Sequence, residues 1–219
     1  MPEYTFKKLR PVFQLMDNGP ISDRPVATVE RLGAGTWCTA YRDVSSPETV
    51  YLRVKPGDSS KHILSDCDGS HIPQLERIGM SGDDDIWRTR YYERLSAKHK
   101  AAWSQYRRLS KENMAARVAN MHQAWNSGPR SSVDWGYAAM VDTVSRMDGT
   151  ADRTLQEALQ AIVDSAANYG QSYTFEFAPR NLAVDGDGTL ILLDPIFDLE
   201  AIRQKQDAAR RRAQGRYRL

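Results

Sequence analysis

Residues 173–195 read YTFEFAPRNLAVDGDGTLILLDP. Two short apolar stretches, LAV and LILL, flank the turn DGDG. Short apolar stretches on either side of such a turn predict a β-hairpin. Polar side chains bracket this hairpin, since Glu176 and Asn181 precede it and Asp194 follows it directly. A purely structural hairpin does not need three metal-capable or proton-accepting side chains at its base, so this stretch is the first candidate site.

The predicted hairpin would bring a magnesium site together. It joins Asn181 to Asp194, so the amide oxygen and the carboxylate can share one Mg²⁺, an ion that prefers oxygen ligands. Glu176 would lie a few ångströms off, where it can orient or deprotonate an attacking hydroxyl. The structural alternative is turn chemistry, which Asn and Asp also favour. The double spacing, five residues from Glu176 to Asn181 and thirteen from Asn181 to Asp194, favours the site.

Composition sets broad limits on the protein class. At 219 residues and 24.8 kDa, we expect one large domain or two small lobes that share a cleft. The net charge of +2 gives no global reason for an anionic partner. Cys38 and Cys67 make no disulfide framework, and no cysteine or histidine pair has zinc spacing. No apolar segment has the length of a signal peptide or a membrane span, so we predict a cytoplasmic protein without a membrane partner.

The first half of the chain is predicted to be rich in strands. Runs of β-branched and aromatic residues between Gly, Pro and Ser turns indicate strands at 26–32, 39–41 and 49–55, and a hairpin of 75–79 with 86–92 around a turn at 80–85. One short helix is expected within 59–67, between the two strand pairs.

The second half is predicted to be helical. Helices are expected at 96–125, 133–147 and 154–168, and a polar one at about 199–214. The third of these helices has one apolar face, formed by Leu155, Leu159, Ile162, Val163 and Ala166. We interpret the large aromatic and methionine side chains of this half as core residues, namely Trp103, Tyr106, Met114, Met121, Trp125, Trp135 and Met140.

A second candidate constellation lies near the N-terminal end. Gly33 and Gly35 stand between two predicted strands, where their backbone N–H groups can approach a phosphate. Arg53 and Lys55 lie two residues apart on a strand and therefore share a face. Each observation alone also fits an ordinary hairpin turn and a strand with solvated charges.

Together these features resemble the protein kinase superfamily. The order is a glycine loop (GAGTWCTAY), a basic strand (YLRVK), a helix, a hairpin, further helices, then EFAPRN and LLDP, which resemble the catalytic loop and the magnesium motif. Within the superfamily the chain resembles the early protein kinases of T-odd podophages, over roughly residues 26–215. The resemblance implies an α+β, two-lobed protein kinase-like fold with a small antiparallel β-rich N-lobe and a truncated, mainly helical C-lobe.

The resemblance also implies domains, ligands and roles. The nucleotide-binding N-lobe would be 1–95, the C-lobe with the catalytic-loop hairpin 96–198, and a basic C-terminal helix or tail 199–219. ATP and Mg²⁺ would bind in the cleft, and the γ-phosphoryl group would pass to a Ser/Thr hydroxyl of a host protein, which redirects host gene expression. The implied nucleotide-binding residues are Gly33, Ala34, Gly35, Thr36 and Lys55 (or Arg53), the metal ligands Asn181 and Asp194, and the catalytic group Glu176.

Departures from the kinase pattern keep other functions open. Glu176 stands where the family has aspartate, and within 59–69 only Asp66 comes near the place of the glutamate that pairs with the kinase lysine. A pseudokinase-like protein that binds or inhibits a host factor or nucleic acid is the alternative. A small-molecule kinase is a third hypothesis.

The C-terminal segment is strongly basic. Asp207 is its single acid from residue 203 onward, against Arg203, Lys205, Arg210, Arg211, Arg212, Arg216 and Arg218. Three interpretations stay open, namely a solvated terminal helix, a nucleic-acid contact driven by counterion release, and docking onto an acidic protein.

Overall fold

The chain crosses three times between two structural units. The first unit comprises Met1–Asp58 and Gln74–Tyr91, and the second comprises Ser59–Pro73 and Tyr92–Leu219. The computed structural model describes residues 10–11, 28–126, 134–148, 152–170 and 172–216. The segment 59–73 therefore belongs to the second unit, although it lies between two parts of the first.

The first unit is an antiparallel sheet. Its six strands are β1 (Arg10–Pro11), β2 (Thr28–Ala34), β3 (Cys38–Asp43), β4 (Thr49–Val54), β5 (Glu76–Ser81) and β6 (Asp84–Arg90), in the spatial order β1-β2-β3-β4-β6-β5. The predicted strands are confirmed with slightly shifted ends. Buried Val29 and Ile86 form a core cluster on which Tyr41, Tyr51 and Ile78 pack.

The β5–β6 hairpin is tighter than predicted. Ser81 pairs with Asp84, so only Gly82 and Asp83 form the turn, and the expected six-residue turn at 80–85 is wrong. Gly82 has a φ of 63°, which glycine adopts without a steric penalty and which a two-residue hairpin turn requires. The strands can therefore pair two residues further than expected.

A buried carboxylate organises the turn between β3 and β4. Oδ1 of Asp43 accepts hydrogen bonds from the N–H groups of Ser45 (2.8 Å) and Ser46 (3.2 Å) and from the Ser45 hydroxyl (2.6 Å). Its Oδ2 accepts one from the Tyr51 hydroxyl at 3.2 Å. Burial by itself raises the pKa of Asp43, but the hydrogen bonds from Ser45, Ser46 and Tyr51 outweigh it, so the pKa lies below its usual value.

The second unit holds the helices of the described chain. They are α1 (Ser60–Ser65), α2 (Lys100–Asn126), α3 (Asp134–Arg146), α4 (Arg153–Asn168) and α5 (Leu199–Arg216). Short strands complete the unit, namely β7 (Glu93–Arg94), β8 (Tyr173–Phe175), β9 (Leu182–Val184), β10 (Leu190–Leu192) and β11 (Ile196–Asp198). They form two small antiparallel sheets, β10-β9-β7 and β11-β8. The expectation of an α+β protein with an antiparallel sheet is thus confirmed.

The amphipathic helix and the hairpin of the second unit follow the sequence pattern. All five residues of the predicted apolar face of α4 are buried. The β9–β10 hairpin forms as predicted, with Leu182 opposite Leu192. Oδ1 of Asp185 accepts hydrogen bonds from the N–H groups of Asp187 and Thr189, which fixes the turn between the two strands.

Buried hydrogen bonds join the segment 59–73 to the rest of its unit. The two ring nitrogens of His71 contact the Leu190 carbonyl (2.7 Å) and the Thr154 hydroxyl (3.1 Å). The carbonyl of His71 accepts the N–H of Leu192, and the Ile63 carbonyl accepts the Ser165 hydroxyl. His71 thus has a structural function, whereas the sequence suggested no role for any histidine.

Part of the predicted core of the helical half is exposed. Met140 is buried, but Met114, Met121 and Trp125 on α2 are 59%, 49% and 86% exposed, so their interpretation as core residues is wrong. The buried face of α2 consists instead of Ala102, Leu109, Asn113 and Ala116. Trp103 and Tyr106 on the same helix are half-buried.

Candidate functional site

The glycine loop of the first unit is a short turn between β2 and β3. The N–H of Gly35 donates to the Cys38 carbonyl at 2.7 Å and closes the turn. Gly33, Ala34, Gly35 and Thr36 are all exposed. A Cβ on Gly33 would meet nothing within 4 Å, and one on Gly35 would meet only the Cys38 carbonyl oxygen, at 3.7 Å. The turn itself therefore does not require glycine at either position.

The two basic residues that follow the loop have different partners. Lys55 follows the last residue of β4, and its ammonium donates to the Thr36 carbonyl at 3.3 Å. The backbone N–H of Lys55 donates to the Trp37 carbonyl at 2.8 Å. Arg53 instead forms an ion pair with Asp84 on β6. Lys55 is thus the basic residue that contacts the loop.

In the second unit, the two predicted metal ligands lie together at the base of the β9–β10 hairpin. A single 3₁₀ turn, Pro179–Asn181, precedes β9, and Asp194 follows β10. The N–H of Asp194 donates to the Asn181 carbonyl at 3.1 Å. The neighbouring pair β8–β11 positions Glu176, whose N–H donates to the Pro195 carbonyl at 2.7 Å. The two strand pairs therefore bring Glu176, Asn181 and Asp194 into one site.

The side chain of Asn181 is oriented by Glu176. Its amide nitrogen donates to the Glu176 carbonyl and to Oε2 of the Glu176 carboxylate, both at 3.3 Å. This leaves the amide oxygen of Asn181 as the atom that can act as a ligand. The other carboxylate oxygen of Glu176 accepts a hydrogen bond from Arg180 at 2.6 Å, and Glu176 is half-buried.

Sequence reasoning missed Lys61, the cation of this site. The ammonium of Lys61, on α1, donates to Oδ1 of Asp194 at 2.6 Å and to the Leu193 carbonyl at 3.0 Å. The hydroxyl of Ser60 approaches the same carboxylate oxygen at 3.4 Å. The Lys61 side chain is only 3% exposed, whereas that of Asp194 is 43% exposed. Helical spacing could have indicated its burial, because Lys61 lies three residues before the buried Leu64 and therefore on the same side of α1.

The acid expected in the α1 region has another partner. The carboxylate of Asp66 accepts a hydrogen bond from the Tyr169 hydroxyl at 2.9 Å. Burial, and then this hydrogen bond, raise the pKa of Tyr169 above its ordinary value. Asp66 therefore binds Tyr169, and the group that α1 contributes to the Asp194 site is the ammonium of Lys61.

The oxygen ligands of the site fit a magnesium ion that carries phosphates. Asn181 and Asp194 each offer a side-chain oxygen that accepts no hydrogen bond from the described residues. Mg²⁺ is commonly held by one or two protein oxygens, with substrate phosphates and water as its other ligands. Among the described residues, no group of three or more His, Cys, Asp or Glu is arranged so that it could hold a metal ion by itself.

The basic C-terminal segment forms a helix, as expected. Asp198 caps its N-terminus by accepting the N–H groups of Glu200 and Ala201. Four of the seven basic side chains are exposed on α5, namely Arg203, Lys205, Arg210 and Arg211. The side chains of Arg212 and Arg216, and the whole of Arg218, lie outside the described residues. None of the described helices has the length and apolar character that crossing a membrane requires.

At the base of this hairpin the second unit thus has two side-chain oxygens that could bind a metal, a half-buried carboxylate and the buried ammonium of Lys61 from α1. Such a site can bind a metal-bound polyanion and can accept a proton from a hydroxyl group. No protein-family model matches the chain, and no curated protein matches it significantly.

Proposed function

We propose that this protein is an ATP·Mg²⁺-dependent protein kinase that phosphorylates Ser/Thr hydroxyls. The proposal is carried by the approach of Asn181 to Asp194, joined by a backbone hydrogen bond, with Glu176 bonded to the same asparagine. Asn181 and Asp194 would hold magnesium, and Glu176 would orient the acceptor hydroxyl. The resemblance to phage kinases suggests that the substrate is a host protein.

The order of the elements supports a kinase-like fold. In the first unit, a glycine turn leads into β3 and then β4, and β4 and β6 are neighbours although α1 and β5 intervene in the chain. In the second unit, the loop that carries Glu176 and Asn181 lies between β8 and β9, and Asp194 lies between β10 and β11. This is the succession of elements that the kinase resemblance implies.

The glycine loop supports nucleotide binding. Neither Gly33 nor Gly35 has a positive φ, and neither is needed to avoid a clash within the protein. Glycine at such positions permits a ligand to approach the backbone closely. The exposed ammonium of Lys55, which contacts the loop carbonyl of Thr36, suits a role in phosphate binding better than Arg53, which is paired with Asp84.

In the proposed reaction, the acceptor hydroxyl oxygen forms a bond to the γ-phosphorus while the bond to the bridging oxygen of ADP breaks. The hydroxyl proton passes to the carboxylate of Glu176, and ADP leaves. Magnesium, when bound, supplies charge neutralisation for the phosphates. Asn181 and Asp194 orient the nucleotide, and most of the rate enhancement comes from positioning.

Nucleotide binding is tested first by thermal unfolding with ATP, with and without Mg²⁺. Binding to the folded state alone raises the midpoint by mass action. We expect a magnesium-dependent rise in the wild type, in Glu176→Gln and in the hairpin-tip control Asp187→Asn. Asp194→Asn, compared with its own ligand-free midpoint, should lose the rise. Absence of any shift at millimolar ATP in the wild type would contradict the proposal.

Phosphoryl transfer is then measured with γ-labelled ATP, as autophosphorylation and on an unfolded generic substrate such as casein. Glu176→Gln should bind ATP·Mg²⁺ like the wild type but transfer phosphate about 100-fold more slowly, because only the proton acceptor is lost. Equal transfer by wild type and Glu176→Gln would remove Glu176 from the mechanism.

The second candidate function is that of a kinase-like binding protein without phosphotransfer. One observation favours it: the ammonium of Lys61 already contacts the carboxylate of Asp194. A fixed internal cation can take the place of the metal and keep the site intact without catalysis. This candidate predicts no magnesium-dependent shift and no labelled product, with biological activity unchanged in Asp194→Asn.

A further inference from the structure

The outer face of α2 carries an apolar half that nothing in the described chain covers. Four large side chains recur there at spacings of four, three and four residues, namely Met114 (59% exposed), Val118 (47%), Met121 (49%) and Trp125 (86%). This spacing places them in one row along the helix, as in the seam of a coiled coil. Exposed apolar rows of this kind mark interaction sites, and tryptophan is among the side chains that contribute most to binding.

The same row continues toward the N-terminus of α2 with three basic side chains and one serine. Lys100, Ser104, Arg107 and Lys111 extend the alternation of four and three, and all four are exposed. They line a surface depression together with Trp103 and Arg108. Glu112 is the single acid of α2 and lies 3.9 Å from Lys111, whereas Lys100 and Arg107 have no carboxylate partner among the described residues. We call the row from Lys100 to Trp125 the outer seam.

We propose that the outer seam is the docking site for an amphipathic helix of a partner protein, with acidic side chains along one half and apolar side chains along the other. The acidic half would face residues 100–111 and the apolar half residues 114–125. The seam runs from residue 100 to residue 125, which is roughly 40 Å at a rise of about 1.5 Å per residue. A partner helix of about 25 residues would cover it.

The charge pattern selects this partner over other occupants. Nucleic-acid phosphates would account for the basic half but not for the apolar half. If a second copy of the chain bound along the whole seam in parallel, the two basic halves would face each other. In an antiparallel pair, the basic half of each copy would face the apolar half of the other. An acidic–apolar helix satisfies both halves. The proposal involves α2 alone and does not rest on phosphotransfer.

The direct test uses synthetic helices as probes and the full-length protein. Two labelled peptides each have one half with glutamates and one half with leucines at the positions that would face the seam. The glutamate half is N-terminal in the first peptide and C-terminal in the second. A third and a fourth peptide replace each glutamate by lysine. We expect one glutamate peptide to raise its fluorescence anisotropy at micromolar protein, and its lysine counterpart to bind at least about tenfold more weakly.

Matched variants assign the binding to the seam. Met121→Ala/Trp125→Ala and Arg107→Glu/Lys111→Glu should each weaken binding of the glutamate peptide by at least about tenfold. Val44→Ala, at an exposed apolar residue of the first unit, and Arg203→Glu/Arg210→Glu, with an equal charge change on α5, should leave it unchanged. Every substituted side chain is exposed, so we expect each variant to fold, and circular dichroism checks this.

Two further probes cover the competing partners, namely an oligo(dT) strand and vesicles that contain phosphatidylserine. The proposal is overturned if neither glutamate peptide binds, if the α5 control weakens binding as much as the seam variants do, or if the strand or the vesicles bind more tightly and lose binding in the seam variants.

Discussion

Removing either partner of the Lys61–Asp194 ion pair should destabilise the second unit, but unequally. In Asp194→Ala the ammonium of Lys61, 3% exposed, loses its carboxylate partner and keeps its hydrogen bond to the Leu193 carbonyl. Loss of one partner of a buried pair costs about 3–5 kcal/mol. We expect the lower end, about 3 kcal/mol, because the site of Asp194 is 43% exposed and admits water.

Lys61→Met should cost less. Methionine fills most of the volume of the lysine stem, and the Asp194 carboxylate that remains can be hydrated. A pair partner left in solvent contact costs about 0–1 kcal/mol. The double variant removes both charges, so Lys61→Met should restore about 2 kcal/mol to Asp194→Ala, since no buried ammonium is then left without its carboxylate.

Urea unfolding followed by far-ultraviolet circular dichroism measures these differences, because the described helices all lie in the second unit. Asp187→Ala, at the exposed tip of the β9–β10 hairpin, serves as the control and should change the free energy of unfolding by less than about 0.5 kcal/mol. A double variant less stable than Asp194→Ala alone would refute the reasoning, since the buried ammonium would then carry no penalty.

Three further predictions concern packing, pH and thiol reactivity. Gly136→Ala should lower the free energy of unfolding in urea by about 1–3 kcal/mol, because a Cβ there would overlap a methyl group of Leu199 and lie 3.1 Å from the Tyr173 carbonyl oxygen. Gly186→Ala, in open space, should change this free energy little. The pKa of Asp43 is lowered on folding, so its contribution to stability should be present above pH about 4 and be lost as the pH falls through its folded pKa. Asp43→Asn should abolish that loss in acid titrations of unfolding. Burial raises the pKa of Cys67 to about 11, so little of its thiol is ionised at pH about 8. Iodoacetamide at this pH should therefore alkylate Cys67 at least about tenfold more slowly than half-buried Cys38, measured by peptide mass spectrometry.

Local patterns were sufficient to predict several elements of the fold. The alternating apolar stretches around DGDG predicted the β9–β10 hairpin, and the apolar face of α4 predicted its buried side. Both signals lie within about one element, where periodicity and turn chemistry act directly. The approach of Asn181 to Asp194 followed from the hairpin in the same way.

Non-local partners could not be predicted from the same patterns. Lys61 and Asp194 lie 133 residues apart in the chain, and no local spacing connects them. Met114, Met121 and Trp125 were predicted to be core residues because large apolar side chains favour burial, but that tendency does not exclude exposure. In α2 the face of Ala102, Leu109 and Ala116 is the buried one, which only the tertiary structure reveals.

The interrupted course of the chain has a consequence for protein synthesis. Ile63 and Leu64, both fully buried in the second unit, are translated well before the hairpin strand β10, which begins at Leu190. At about 5–20 residues per second, the ribosome needs on the order of ten seconds to reach that strand. During this interval β5 and β6 of the first unit are synthesised, whereas the β9–β10 hairpin of the second unit does not yet exist. Nascent chains that stall in this window would present α1 to chaperones, and a fragment that ends before residue 92 would do so permanently.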